Sequence, residues 1–120
     1  MSKLLWRRDG LFDFQWCIGF GGSVVKSRKA FFKALDVKAP KDSTTGIVVA
    51  RFVGVDDCKS GLLWFGSKRP KPHVVAHECS HAVDYFLAEL GIEQPGTEFT
   101  EIRAYYLEFL VKMIGRLVRK

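Results

Sequence analysis

The sequence has few cysteines, and no two of them form a CxxC pair. The three cysteines are Cys17, Cys58 and Cys79, an odd number at wide spacing. A disulfide framework uses an even number of cysteines in an oxidising compartment, so we expect reduced thiols here. Cys17 lies in an apolar stretch and is predicted to be buried, whereas Cys58 lies in a polar loop that favours an exposed thiol.

The sequence also lacks a secretion signal and a long apolar run. Residues 1–10 contain too short an apolar stretch for a signal peptide, and no cleavage-like site of small residues follows them. The other apolar stretches are too short, and too often interrupted by charge, to span a bilayer. These absences predict a cytoplasmic protein that does not interact with membranes.

The sequence contains no repeat and no low-complexity segment. The chain has 120 residues, of which 48% are hydrophobic and 13% aromatic. That balance is typical of a packed globular protein and excludes an intrinsically disordered one. The length suits one hydrophobic core, so we predict a single domain spanning residues 1–120.

Negative charge is the scarcer sign, and the formal net charge is +6. Lysine and arginine cluster at residues 26–41, 68–71 and 116–120. Such clusters attract nucleic acids and other polyanions. No nucleic-acid-binding motif accompanies them, so we expect a solvated basic surface and keep nucleic-acid binding as the less favoured alternative.

The first half of the chain predicts strands and one helix. Alternating apolar residues over 11–18 indicate a strand, and glycines then form a turn without the GK[ST] of a phosphate loop. Ser23 is predicted to cap a helix that ends near Leu35. Residues 47–55 and 62–65 predict two strands of a hairpin or small meander. The apolar side of the helix is predicted to consist of Val24, Val25, Phe31, Phe32 and Leu35.

The second half of the chain predicts two helices. The first runs from about His73 to Leu90 and is ended by Gly91. Thr97 is predicted to cap the second, which continues to near the C-terminus. Helical spacing places the following residues mostly in the core: Ile102, Tyr105, Tyr106, Phe109, Leu110, Met113, Leu117 and Val118. The predicted fold is therefore α+β, with a small antiparallel sheet packed on the two helices.

The segment most informative about chemistry is His77-Glu78-Cys79-Ser80-His81, an HExxH motif. Residues four apart on a helix stand one turn above another, so both imidazoles can reach one zinc ion. Glu78 flanks that position and is predicted to deprotonate a water bound in the open coordination site. His73 extends the row, but three imidazoles spread over two turns do not suit one ion, so we do not expect it to be a ligand.

A catalytic zinc site needs a third protein ligand. Residues 84 and 87 are Asp and Leu, so the extended metzincin motif is absent. The candidates on the last helix are Glu98, Glu101 and Glu108. Glu101 follows His81 by twenty residues, and a helix, a loop and a returning helix can bring it back to the pair.

The motifs HECSH at 77–81 and EIRAY at 101–105 resemble those of the gluzincins, the thermolysin-like clan. The resemblance extends to the reduced fold of the minigluzincins and of small proteins in phage and bacterial genomes, and it covers about residues 77–106. It implies a minimal zincin-like fold, a Zn²⁺ cofactor, and Glu101 as the third ligand with Glu98 in reserve. It also implies amide-bond hydrolysis, with one strand in 47–66 as the edge that holds an extended peptide.

The sequence departs from this family at Tyr105, where thermolysin-type enzymes carry an aspartate that orients a histidine. Tyr105 is expected to do the same through its hydroxyl, and Asp84 is the competing candidate. The remote half that supplies transition-state donors in larger members is missing. The candidate substitutes for those donors are Tyr85, Arg103 and Tyr106.

The sequence thus predicts a zinc-dependent peptidase acting on a peptide or protein substrate, with His77, His81 and Glu101 on the metal and Glu78 as the base. The alternative is a non-catalytic zinc-binding protein, possibly phage-encoded, that binds or inhibits a partner through its basic surface. Retention of Glu78 favours the enzyme, because a purely structural site has no use for that carboxylate.

Overall fold

The computed structural model describes residues 4–10, 13–36, 38, 50–55, 60–89 and 97–119. Within these ranges the chain is α+β, as predicted, with four strands and three helices. It divides into two compact units, Met1–Lys68 and Arg69–Lys120, called here the sheet unit and the helix-pair unit. The two units are defined by the contacts within each of them, and such a division is not a test of independent folding. A single domain spanning residues 1–120 therefore stays a prediction.

The sheet unit contains four strands in the order β1-β2-β4-β3. Their bounds are Leu5–Asp9 for β1, Phe14–Phe20 for β2, Ala50–Val55 for β3 and Ser60–Phe65 for β4. β1 and β2 pair antiparallel, as do β3 and β4, whereas β2 and β4 run parallel. The sheet is therefore mixed, and the prediction that it is antiparallel throughout is wrong. The parallel pair arises because the chain passes through a helix between β2 and β3 and inserts β4 beside β2.

The two central strands are buried on both faces. Trp16, Cys17 and Ile18 follow one another in β2 and have no exposed surface. Strands inside a parallel pairing are covered on both sides, so apolar residues occur in runs and not only at alternate positions. This explains why Cys17 is buried, as predicted. Phe12, which was expected to extend the apolar face of this strand, lies outside the described residues.

The edge strand β1 is not predicted from the sequence. Its residues Leu5–Asp9 read LWRRD, and three successive charges hide the strand pattern. Edge strands often carry charges because charged side chains discourage pairing with other chains. The other edge strand is β3, which confirms one strand of the predicted hairpin, while residues 47–49 of that prediction lie outside the described residues.

Helix α1 spans Val24–Leu35 and begins at the predicted cap. The hydroxyl of Ser23 accepts a hydrogen bond from the Lys26 amide at 3.3 Å. Asp36 ends the helix in the left-handed conformation at φ 54°, and its amide donates to carbonyls of the last turn. Phe31 and Phe32 are buried as predicted, but Val25 is exposed, because it lies on the solvent side of the helix.

The core of the sheet unit joins α1 to the central strands. Phe31 and Phe32 cluster with Cys17, Leu62 and Trp64. The Trp64 indole donates a hydrogen bond of 2.9 Å to the Gly21 carbonyl, and the Gly21 amide donates to Phe65 at 2.7 Å. Gly21 has φ 72°, a conformation that glycine adopts without strain. The two hydrogen bonds connect the predicted turn after β2 directly to β4.

The helix-pair unit consists of α2, Pro72–Glu89, and α3, Thr97–Val118. Both helices match their predictions to within one residue where they are described, and Leu90 and Gly91 lie outside the described residues. Of the predicted core of α3, Tyr105 is 70% exposed and Phe109 is 37% exposed. Both lie to the side of the stripe formed by Tyr106, Leu110, Met113, Ile114 and Leu117.

No helix in the described part of the chain combines the length and the apolar character that crossing a membrane requires.

Candidate metal centre

The HExxH motif lies in the middle of α2, away from the ends of the helix. Pro72 occupies the first position of α2, where its fixed φ suits a helix start and its missing amide proton is not needed. The Lys71 carbonyl then accepts hydrogen bonds from the amides of Val74 and Val75 at 2.9 and 3.0 Å. The motif is thus held by regular helical hydrogen bonding on both sides.

The two histidines of the motif are brought together on one side of α2. Nε2 of His77 and Nε2 of His81 are 3.2 Å apart, and both side chains are exposed. Two nitrogens bound at about 2.0–2.1 Å to a tetrahedral zinc ion are separated by about 3.3 Å. Without an ion the same separation suits a hydrogen bond in which one ring donates and the other accepts. The separation of the two nitrogens therefore matches two corners of a tetrahedral zinc site.

Glu78 is half-buried and lies between the two histidines in sequence. It is one position beyond His77, about 100° around the helix, so its carboxylate flanks the pair and does not extend it. The negative charge of Glu78 also acts on the thiol of the next residue, Cys79. Burial, together with the negative charge of the Glu78 carboxylate, raises the pKa of the Cys79 thiol to about 12. Cys79 has no exposed surface, so its side chain packs in the core and does not lie with the exposed histidines.

The part of the chain that the structure describes places no third ligand beside the pair. Among the described residues, no group of three His, Cys, Asp or Glu side chains is placed to hold one ion. Glu101 is exposed, and it lies about 200° around α3 from Arg103, the residue that faces α2. The side chain of Glu98 is outside the described part of the chain. Glu101 as third ligand, with Glu98 in reserve, stays a prediction.

Glu108, the remaining candidate on α3, has another partner. Its carboxylate is 2.8 Å from the Lys112 ammonium, one turn further along the helix. The hydrogen bond from Lys112, together with its charge, lowers the pKa of Glu108. Both side chains are exposed, so this is a surface ion pair of the i, i+4 kind and not part of a metal site.

A polar bridge between the two helices lies beside the histidines. Nε of Arg103 donates to Oδ1 of Asp84 at 2.6 Å, and Nη2 reaches Oδ2 at 3.4 Å and also bonds the Ser80 hydroxyl. The hydrogen bond to Asp84 raises the pKa of Arg103. Ser80 follows His77 by three residues, and Asp84 follows His81 by three, so the bridge lies directly alongside the pair.

This bridge involves two candidate residues. Asp84 pairs with Arg103, and Arg103 also bonds Ser80. Asp84 as the group that orients a histidine and Arg103 as a transition-state donor stay predictions. The role of Ser80 was missed in the sequence. A serine and an aspartate four apart on one helix, opposite an arginine on the next, are the signal that could have revealed it.

The tyrosines near the motif differ in exposure. Tyr106 is buried, with its ring tilted against that of Phe86 at 4.7 Å and edge-to-face with that of Phe109 at 5.4 Å. It is therefore a packing residue and not a donor open to substrate. Tyr85 is 47% exposed and Tyr105 is 70% exposed. His73 is also exposed, in the first turn of α2. The role of Tyr105 in orienting a histidine stays a prediction.

The described residues thus form two polar groupings on the helix pair. One is His77 with His81, and the other is Arg103 with Ser80 and Asp84. Comparison of the chain with protein-family models, with curated proteins and with solved structures gives no match.

Proposed function

We propose that this chain is a zinc-dependent metallohydrolase, and specifically a peptidase with a minimal zincin-like fold. The observation that carries the proposal is the 3.2 Å separation of the Nε2 atoms of His77 and His81. Two nitrogens bound to one tetrahedral zinc ion require a separation of this size. Glu101 is proposed as the third ligand, in keeping with the gluzincin resemblance.

Zinc, when bound, acts as a Lewis acid and makes water acidic enough to lose a proton near neutral pH. The part played by the chain itself is proton transfer. Glu78 accepts a proton from the attacking water while the water oxygen bonds to the amide carbon. The same carboxyl group then gives that proton to the amine nitrogen as the carbon–nitrogen bond breaks. Peptide and protein substrates fit this chemistry.

The hydrogen bonds from Arg103 to Ser80 and Asp84 hold α3 against α2. The side of α3 that carries Arg103 therefore stays beside the HExxH motif. Arg103 bonds Asp84 and Ser80 at once, and charge-assisted hydrogen bonds of this kind hold geometry better than neutral ones. Tyr85 on α2 and Tyr105 on α3 are both exposed residues. We propose them as donors to the developing oxyanion or to a histidine ligand.

A second function, a non-catalytic zinc-binding module, is favoured by a different observation. The net charge of +6 suits an acidic partner. In that function zinc stabilises the helix pair, and the basic surface binds the partner. The two functions differ in their need for Glu78 and in whether an amide bond is broken.

The experiment that separates them is cleavage of an unfolded protein substrate such as denatured casein. The peptidase is expected to cleave it, to lose that activity in a zinc chelator, and to recover it when zinc is added back. Zinc bound without cleavage would instead support the binding module. Zinc lost in Glu101→Ala but kept in Glu98→Ala would identify the third ligand, since both variants remove one carboxylate from the same helix.

A further inference from the structure

The helix-pair unit contains a cavity that plays no part in the proposed zinc site. It lies between the first turn of α2 and the last turns of α3 and has a volume of about 380 Å³. Its apolar lining consists of Pro70, Pro72, Val75, Val111, Gly115 and Val118. This volume falls within the range of small-molecule sites, and at about 30 Å³ per heavy atom it holds about a dozen such atoms.

The cavity is separate from the histidine pair. Val75 precedes His77 by two residues, which is about 200° around α2, so the cavity and the pair lie on opposite sides of the helix. None of the residues proposed to bind zinc lines the cavity. A molecule bound there would contact neither the metal nor Glu78.

The charged lining residues are both cations, Lys112 and Arg119. Lys112 is paired with Glu108 on the surface of α3, so its stem lines the cavity while its ammonium is neutralised. No ion pair joins the Arg119 guanidinium to a carboxylate within the ranges that the structure describes. An apolar cavity with a guanidinium at its rim is complementary to an apolar molecule that ends in an anion.

Gly115 is the unusual residue of this lining, because glycine weakens a helix interior by about 1 kcal/mol relative to alanine. A Cβ at this position would meet only the Arg119 guanidinium, at an ordinary contact distance of 3.7 Å. Packing therefore does not require glycine here. What the missing side chain does provide is open volume in the wall of the cavity.

We propose that this cavity binds a small amphipathic carboxylate, an alkyl chain of about ten carbons whose carboxylate pairs with Arg119. Decanoate, with twelve heavy atoms, is the probe of the right size and charge. The alkyl chain fills the space among the valines and prolines, and the carboxylate remains at the rim, where Arg119 binds it with two parallel hydrogen bonds. The site does not depend on zinc.

The test is a titration of the full-length protein with decanoate, followed by amide NMR. We expect saturable shifts centred on Gly115 and the neighbouring valines, identical with and without zinc. Gly115→Leu should fill the cavity and weaken binding at least tenfold. Gly115→Ala should raise Tm by favouring the helix while it reduces binding, a combination that misfolding cannot produce.

The charge is tested separately with Arg119→Gln and with decanol, which keeps the chain and lacks the carboxylate. The Arg119 variant should bind decanoate about tenfold more weakly and decanol as the wild type does. Arg116→Gln, which removes a cation that does not line the cavity, is the matched control and should bind as the wild type does. The proposal is overturned if decanoate causes no saturable shifts, if Gly115→Leu binds equally well, or if decanol binds as tightly as decanoate.

Discussion

Replacement of Glu78 by glutamine is expected to remove peptide hydrolysis while zinc stays bound. Glutamine has the shape of glutamate but cannot accept a proton from water at neutral pH. General-base catalysis by a positioned side chain contributes about 10²–10⁴-fold, so kcat should fall by that factor. KM should change little, because Glu78 is not proposed to bind the substrate. The measurements are the rate on a quenched peptide substrate and the zinc content per chain.

The matched control for this prediction is Glu108→Gln. Glu108 is an exposed glutamate on α3 whose carboxylate pairs with Lys112, so its loss should leave both rate and zinc unchanged. Full activity in the Glu78 variant would show that another group takes the proton. Loss of zinc from the Glu78 variant would instead show that this carboxylate belongs to the metal site itself.

Replacement of Phe86 by alanine is expected to cause the largest loss of stability in the helix-pair unit. Phe86 is 1% exposed, and its ring lies 4.7 Å from that of Tyr106 on α3. Removing a buried phenylalanine costs about 3–5 kcal/mol, since the contacts are lost and a cavity remains. Urea denaturation, followed by far-UV circular dichroism, measures the change in the free energy of unfolding.

Phe109→Ala is the control for this prediction, because it removes the same side chain from a position that is 37% exposed. Less apolar area is withdrawn from water there, and the neighbouring solvent fills the space. We expect a loss of about 1 kcal/mol. Equal losses at the two positions would mean that α2 and α3 do not pack through Phe86 and Tyr106.

The helices could be predicted from the sequence because their signals are local. Ser23 caps α1 through a hydrogen bond to a residue three positions away, and Pro72 opens α2 at the residue where the helix begins. Both signals depend on the nearest few residues and on no distant contact. The prediction that Tyr105 and Phe109 lie in the core is wrong, because the apolar residues of α3 cover a wider part of the helix surface than the part that is buried.

The sheet could be predicted only in part, because strand pairing joins residues far apart in the chain. β2 pairs in parallel with β4, with Cys17 opposite Leu62, and nothing near either residue encodes that partner. The charged residues of β1 obscured the alternating pattern by which a strand is predicted, although such charges are common in edge strands. The class of the fold therefore followed from the element types, while the order and direction of the strands did not.

The candidate site could likewise be predicted where it depends on residues close in sequence, and not where it depends on distant ones. His77 and His81 come together because they are one turn apart on a single helix, which the motif predicts. The bridge from Arg103 to Ser80 and Asp84 joins two helices, so it depends on the rotation of α3 and was not predicted. The third ligand depends on that same rotation, and Glu101 accordingly remains a proposal.

The central claim is that His77 and His81 bind zinc together, and a zinc titration against a competing chelator tests it most directly. We expect one zinc per chain. His77→Ala and His81→Ala should each weaken binding by more than the 10–100-fold that follows from changing a residue that only orients a ligand. His73→Ala, which removes an exposed histidine from the same helix, should bind zinc as the wild type does. Absence of zinc binding by the wild type, or equal affinity in the His81 and His73 variants, would contradict the claim.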